Sequence, residues 1–285
     1  MRDGIILAAG FGTRLHPITR VIPKAVLPIM GKPMILHIMD RMHGFGIERF
    51  YINLHYLKDK VMEVVNGSSY HKCTEFQVEK ELLLTGGGLK GLLKRIETEN
   101  ALVHNVDIIE EFDYGSLWER HLSDDNDITW VLSSVSGNVL IRGRRIVGFG
   151  DGGLTFTGVG IYSKRIVNSM PWGKFHLIPW ISDMLFKMKI RMGYVIDNNF
   201  WVDAGTPYGI FKAYVNGMVK RRENIIVKGY VAPDIQLSGF VYIGEKVNIK
   251  GKGLVEDTVI IGKSVLYGNL LVRRSVIYDN HTIAF

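Results

Sequence analysis

Residues Ile5 to Pro33, IILAAGFGTRLHPITRVIPKAVLPIMGKP, decide how the rest of the chain is read. Ile5-Ile6-Leu7-Ala8-Ala9 is a short apolar run without helical periodicity, the pattern of a buried first strand. Gly10 and Gly12 then interrupt it. Glycine accepts positive φ and lets the backbone approach another group, so amides in such a loop can point at an anion. Thr13 adds a hydroxyl and Arg14 a fixed charge. Pro17 and Pro23 forbid a long helix, and Lys24 follows the second proline. The stretch therefore reads as an ordered loop that offers backbone donors, Arg14 and Lys24 to a group with several negative oxygens. It is neither the phosphate loop G-x-x-x-x-G-K-[ST] nor the dinucleotide fingerprint G-x-G-x-x-G, and a bare Gly-x-Gly is weak evidence.

Outward from this loop, apolar spacing predicts a helix over 34–45 ending near Gly44 and Gly46. FYINL at 50–54 reads as a second strand, 57–65 as a helix, and 76–78 as a third strand. Gly86-Gly87-Gly88 opens a helix to about Ile96, and a fourth strand at 101–103 delivers Asn105 and Asp107 at its end. Strands alternating with helices predict parallel βαβ units, in which ligands collect at the carboxyl ends of the strands. Further on come a helix over 114–121, a strand over 128–134 and a hairpin over 139–149 with its turn near 142–144. A strand over 154–162 holds Gly158 and Gly160, and helices follow at 179–189 and 207–220. From about Asn224 the style changes. Ile243-Gly244-Glu245-Lys246-Val247 and Ile261-Gly262-Lys263-Ser264-Val265 repeat one short β unit, which points to a β-helix of about three coils, with an irregular all-β cap as the alternative. Such a short coil is expected to dock or oligomerise, not to catalyse. The expected division is residues 1–222 and 223–285.

The net charge is +7, with 47% hydrophobic and 22% charged residues, so disorder is not expected. A basic balance suits nucleic acid, a membrane surface or small anions. The runs RGRR at 142–145 and KRR at 220–222 are too short to favour the first two. The expected partners are therefore small phosphorylated molecules, with neither nucleic acid nor membrane. The one cysteine, Cys73, allows no internal disulfide and fits a cytoplasmic setting. No signal peptide is visible, and no apolar run approaches the ~20 residues of a membrane-spanning helix.

The motifs of the first stretch are G-x-G-T-R-L-x-P-x-T, P-K-x-x-L-P and G-K-P, carried by Gly10 to Thr19, Pro23 to Pro28 and Gly31 to Pro33. Together they resemble the signature of the sugar-1-phosphate nucleotidylyltransferases, or NDP-sugar pyrophosphorylases. The resemblance covers roughly residues 3–220. The tail is similar to the left-handed β-helix of hexapeptide-repeat proteins, which some members carry. The resemblance implies an α/β fold: a Rossmann-like three-layer αβα nucleotidyltransferase domain with a mainly parallel sheet, plus a short C-terminal left-handed β-helix. It implies an EC 2.7.7-type enzyme in nucleotide-sugar biosynthesis, in which NTP and sugar-1-phosphate give NDP-sugar and pyrophosphate by Mg²⁺-dependent in-line displacement. UTP, GTP and dTTP all remain open as the nucleotide, and a homo-oligomer through the β-helix is expected.

The implied site residues follow motif by motif. Leu7, Ala9, Gly10, Gly12 and Thr13 would lie against base and ribose, and Arg14 and Lys24 would hold the triphosphate and leaving group. Asp107, in L-V-H-N-V-D-I, resembles the Asp of the family's N-G-D segment, with Val106 where Gly is usual. Asp203, in F-W-V-D-A-G-T-P, resembles W-x-D-x-G-T-P. Both would hold the metal, since Mg²⁺ takes one or two carboxylates plus phosphates and water. The bland alternatives are a strand-end cap for Asp107 and a helix cap for Asp203. Residues 81–88, ELLLTGGG, resemble a base-binding loop, placing Thr85 and Gly86 at the base; Leu84 departs from the acidic residue common in the nearest subgroup. Phe156-Thr157-Gly158 resembles the F-T-G segment that touches the sugar. The Glu-Lys-Pro that often precedes it is missing, as 147–153 reads VGFGDGG; MurNAc-1-phosphate uridylyltransferases and some guanylyltransferases look similar here. Arg142, Arg144, Arg145 or Lys174 could supply the missing charge, or be solvated surface residues.

Two rivals stand beside this reading. One is a catalytically silent, nucleotide-sugar-binding regulatory subunit of the same fold, which would not need Arg14, Lys24, Asp107 and Asp203 together. The other is a hexapeptide-repeat acyltransferase, which needs more coils and a histidine better placed than His281. The histidines show no zinc spacing, and no Ser-His-Asp arrangement is apparent.

Overall fold

Ile5 and Ile6 point to opposite faces of one strand, and both are fully buried, so that strand is covered on both sides. In the computed structural model, which describes residues 2–285, it is β1 (Asp3–Leu7) of a seven-stranded sheet. The other strands are β2 (Arg49–Leu54), β3 (Thr74–Val78), β4 (Asn100–Asn105), β5 (Ile128–Arg142), β6 (Arg145–Ser163) and β7 (Met192–Ile196). Their order is β7-β5-β6-β4-β1-β2-β3. β6 runs antiparallel to β4 and β5, and the remaining neighbours in that order are parallel. The two strands and the hairpin expected separately over 128–162 are one long hairpin, turning at Gly143-Arg144. Its glycines bend the pairing without ending it, as the shifts of register between Trp130 and Ile141 show.

Five helices cover this sheet: α1 (Met34–Gly44), α2 (Lys58–Asn66), α3 (Leu84–Leu93), α4 (Tyr114–Ser123) and α5 (Leu177–Phe186). Ile5, Ile128 and Trp130 share one core with Leu89 and Leu92 of α3 and Trp180 and Ile181 of α5. On the opposite face, Gly4 leaves room for α1: a Cβ there would stand 2.6 Å from the Met42 methyl. Thr129, which alternates with Ile128 and Trp130, meets His121 of α4 at 2.9 Å. The result is a three-layer α/β arrangement with a mixed, mostly parallel sheet. α3 begins at Leu84, two residues before the expected start, and the N–H of Leu83 is taken by Glu79.

The chain divides into two compact units, and the division cuts across the expected boundary at 222/223. The first unit holds the chain up to Gly10 and Ile35–Trp201; the second holds Phe11–Met34 and Val202–Phe285. The style of the chain does change near residue 223, but the glycine loop and the last helix pack with the tail. That helix, α6 (Pro207–Lys220), has Thr206 as its N-cap, with the Thr206 hydroxyl accepting the Gly209 N–H, and Pro207 in its first turn. The buried Tyr214 of α6 donates its hydroxyl to the Pro28 carbonyl at 2.9 Å, and its ring lies 4.7 Å from that of Tyr242. Phe211 packs on the final residue, Phe285, with ring centroids 4.8 Å apart.

The tail is built from two stacks of short strands. In one, β8 (Ile225–Val227), β10 (Ile235–Ile243), β12 (Lys252–Ile261) and β14 (Asn269–Tyr278) pair in parallel, and β15 (His281–Ala284) closes the edge antiparallel to β14. In the other, β9 (Tyr230–Val231), β11 (Asn248–Ile249) and β13 (Val265–Leu266) pair in parallel. Successive rungs lie about 17 residues apart, close to three hexads. Val241, Ile243, Ile249, Val255, Ile260 and Ile277 form the tail's own core.

Candidate active site

The carboxyl ends of β1 and β4 lie side by side, with Leu7 the register partner of Asn105. Beside them is a cavity of about 350 Å³ lined by Leu7, Thr85, Asn105, Phe156, Gly158 and His176, among others. Four residues from three separate motifs therefore share one wall system: Leu7 from the first loop, Thr85 from the glycine triplet, and Phe156 and Gly158 from β6. Phe156 is held by stacking on Trp130, with centroids 3.8 Å apart. Gly158 has φ +89°, and a Cβ there would come within 2.9 Å of the Asn105 side chain, so the strand can approach Asn105 this closely only as glycine. Thr157 is different. Alternation turns it to the other face, where it is buried and its hydroxyl donates to the Val131 carbonyl at 2.8 Å. Its side chain is committed to the sheet and is not among the residues lining the cavity.

The glycine triplet also divides. Thr85 is exposed to the cavity, but Gly86 is buried and donates its N–H to the Phe175 carbonyl at 3.1 Å. That donor is therefore engaged within the protein. A Cβ on Gly86 would lie 2.3 Å from the Phe175 ring, and one on Gly87 would lie 2.3 Å from the Gly173 carbonyl oxygen. The triplet's small size thus serves the packing of residues 173–175 on α3. Gly86→Ala is expected to cost about 1–3 kcal/mol through overpacking and to lower the melting temperature by several degrees. A melt unchanged within one degree, on the same scale, would show that the Phe175 ring yields freely.

Asp107 follows β4 and is largely buried. Val106, where glycine was the usual residue, keeps a negative φ, and its N–H donates to the Leu7 carbonyl at 3.1 Å. Valine therefore fits without strain. Just beyond the turn, Glu110 gathers donors: the Tyr114 hydroxyl at 2.6 Å, the Phe112 N–H, and Nε and Nη2 of Arg41 at 3.4 Å each. His104 is fully buried, with Nδ1 2.8 Å from the Asn105 carbonyl oxygen and Nε2 3.7 Å from Glu110 Oε1. Burial alone would raise the Glu110 pKa. His104, the Tyr114 hydroxyl and the Phe112 N–H outweigh it and hold the carboxyl down to about 2.

In the second unit, Gly12 sits at φ +67° in the left-handed region that favours glycine, and its carbonyl accepts the Thr19 hydroxyl at 2.8 Å. Three 3₁₀ turns, Thr13–Leu15, Ile18–Arg20 and Lys24–Val26, shape the loop in place of a helix. The Lys24 Cβ lies 3.6 Å from where a Gly12 Cβ would stand, which brings Lys24 to the glycine. Thr13 and Arg14 are exposed. Asp203 is not the helix cap, since Thr206 does that work. Its Oδ1 accepts the Gly205 N–H at 2.8 Å, and Arg14 Nη1 donates to its Oδ2 at 2.8 Å. The pair is part-exposed, with about half of the Arg14 side chain open to solvent. A Cβ on Gly209 would fall 1.8 Å from the Asp203 carbonyl oxygen, so the turn through D-A-G-T-P needs glycine there.

In the first unit lie Ala9, which is buried, and Gly10, which is exposed. Of the side chains offered for the missing lysine, Arg144 pairs with Asp124 and Arg145 bonds Asn126 and the Asp124 carbonyl, both on the turn after α4. Arg142 is exposed at the hairpin tip, and Lys174 is exposed on the segment packed on α3. The sequence reading missed His176 and Tyr162 as cavity walls: His176 carries no spacing signal, and Tyr162 looks like any strand residue.

The nucleotidyl transferase family model matches residues 3–138. A mannose-1-phosphate guanylyltransferase of Mycobacterium tuberculosis is 26% identical over 277 residues, covering 91% of this chain and 73% of that protein. A D-glycero-alpha-D-manno-heptose 1-phosphate guanylyltransferase of Aneurinibacillus thermoaerophilus is 29% identical over 223 residues, covering 74% of this chain and 96% of its own. The crystal structure of HddC from Yersinia pseudotuberculosis complexed with GMP-PN matches with a TM-score of 0.66 at 28% identity, over 76% of this chain and 100% of that one.

Proposed function

We propose that the chain, whose residues 3–138 match the nucleotidyl transferase family model, joins GTP to a sugar-1-phosphate, releasing pyrophosphate. The observation that carries this reading is the cavity at the ends of β1 and β4, shared by Leu7, Thr85, Phe156 and Gly158. GTP comes first among the nucleotides because both relatives above are guanylyltransferases by name. In the proposed division of labour, Leu7 and Thr85 face the nucleoside, and Phe156 and Gly158 face the sugar. Arg14 and Lys24 offset the charge of the triphosphate and of the departing pyrophosphate, Arg14 as a planar fork and Lys24 as a compact charge. A phosphate oxygen of the sugar-1-phosphate attacks the α-phosphorus, and the bond to the pyrophosphate oxygen breaks in line, with no covalent enzyme intermediate. Positioning and electrostatics then supply the catalysis.

Asp107 and Asp203 are the residues we assign to Mg²⁺. The donor set fits in kind, since both side chains offer hard carboxylate oxygens. An ion that takes one or two carboxylates and completes its shell from phosphate and water suits such a set. When bound, Mg²⁺ supplies charge neutralisation at the reacting phosphates. Arg14, paired with Asp203 in this structure, must exchange that partner for phosphate oxygens.

The test is a panel of five NTPs against several sugar-1-phosphates, scored by Mg²⁺-dependent pyrophosphate release. GTP with at least one sugar-1-phosphate is the expected pair, and release from none overturns the proposal. We further read the two strand stacks of the tail as a short left-handed β-helix that joins copies of the chain. A chain ending at residue 223 is then expected to have a smaller oligomeric mass by light scattering, and to melt lower once Tyr214 and Phe211 lose Tyr242 and Phe285. An unchanged mass per particle, allowing for the deletion, removes the tail from assembly.

A further inference from the structure

One buried polar chain lies behind the cavity and joins two of its walls. The N–H of Ala8 donates to Asn53 Oδ1 at 2.9 Å. Asn53 Nδ2 donates to Glu79 Oε1 at 2.8 Å. The Leu83 N–H donates to Glu79 Oε2 at 2.8 Å. Asn53, the last residue but one of β2, is the register partner of Leu7 and is 3% exposed; Glu79 follows β3 and is 5% exposed. Ala8 is the first residue after Leu7, and Leu83 stands two residues before Thr85. The chain therefore reaches from one residue beyond one cavity wall to two residues short of the other.

The surroundings are built to hold this pair. Glu79 is fixed by its own backbone, whose N–H donates to the Leu54 carbonyl at 2.8 Å and whose carbonyl lies 3.0 Å from His55 Nδ1. On α3, a Cβ at Gly88 would lie 2.5 Å from Asn53 Nδ2 and 2.7 Å from Glu79 Oε1. The third glycine of the triplet is thus the space that Asn53 and Glu79 occupy. A buried amide and a buried carboxylate this tightly enclosed are costly unless every bond is made. Here the two outer bonds also fix the main chain at Ala8 and Leu83, beside the Leu7 and Thr85 walls of the cavity.

We infer that Asn53 and Glu79 are positioning residues that set the spacing of the Leu7 and Thr85 walls, and through it nucleotide affinity. The inference rests on the proposed reading of those walls as the nucleotide site. The donor and acceptor pattern makes a specific test. Asn53→Asp sets two carboxylates against each other. Glu79→Gln either sets its NH₂ against the Asn53 NH₂ or turns it toward the Leu83 N–H, donor against donor in both cases. In the double variant, the introduced carboxylate at 53 can accept from Ala8 and from the introduced amide at 79. The amide oxygen can accept from Leu83. All three bonds return, and only the one between positions 53 and 79 runs in the reverse direction.

Direct titration of GTP, of UTP and of a sugar-1-phosphate reads binding without turnover, alongside melting temperature. Each single variant is expected to bind the nucleotide about tenfold more weakly or worse, with sugar-1-phosphate affinity within about threefold of wild type. The double variant is expected to recover nucleotide affinity to within about threefold of wild type. Single variants that bind nucleotide as wild type does, or a double variant as weak as the worse single, overturn the inference. So do singles that lose both ligands equally, because that is a general loss of structure. A wild type that binds neither GTP nor UTP overturns the functional reading and this inference with it.

Discussion

Replacing Asp107 with Asn is expected to lower kcat by about 10²-fold or more while the protein stays folded, the scale on which lost transition-state electrostatics are felt. The change removes a charge and keeps the shape. The turn that carries Asp107 is held from both sides, by the Val106 N–H on the Leu7 carbonyl and by the donors gathered on Glu110. Those bonds are made by other groups and survive the substitution, and the amide keeps the size of the carboxyl. Steady-state rates measured across a range of MgCl₂, with a thermal melt of the same sample, separate the cases. A rate near wild type at low Mg²⁺ removes Asp107 from the site. A large fall in the melting temperature would instead make the carboxylate a strand-end cap, the bland alternative for a residue at this position.

The layered fold was largely readable because hydrophobic period and punctuation agree over its core. Ile5-Ile6 in β1, FYINL in β2 and the alternation of strand with helix all point to a covered, mostly parallel sheet. What escaped were long-range facts. Nothing local in 145–163 says that β6 inserts antiparallel between β4 and β5. Nothing in the glycine loop says that it packs with α6 and the tail, since the Tyr214–Pro28 bond joins residues 186 apart.

The candidate site was readable as motifs, not as side-chain roles. Leu7, Thr85, Phe156 and Gly158 meet at one cavity. Thr157 and Gly86 sit inside the same motifs yet are spent on structure, because strand alternation buries one and the Phe175 ring crowds the other. In the same way, G-T-P reads as part of a metal-site motif, whereas its Thr206 is the helix cap and the Gly205 N–H donates to the Asp203 carboxylate. Asn53 and Glu79 carried no signal at all, because their importance lies in which main-chain N–H each one meets.

Glu110→Gln is expected to destabilise the protein by about 3 kcal/mol at neutral pH, the worth of holding a carboxyl near 2 when its ordinary value is near 4.5. The sign follows from the depressed pKa. The contribution is fully present above the ordinary carboxylate range and is lost as pH falls from about 4.5 toward 2. Wild type and variant melts should therefore differ by roughly 6–12 °C at pH 7 for a chain of this size and draw together in acid. A gap that stays constant from pH 7 down to pH 3 would mean that the lost stability is packing and not charge. The same variant bears on activity, because Glu110 anchors the far end of the turn that presents Asp107 and lies 3.7 Å from His104 at its near end. If that anchoring matters, kcat falls in Glu110→Gln even at a temperature where the variant is fully folded. Full kcat there would show that the Asp107 turn keeps its shape on the Val106–Leu7 bond alone.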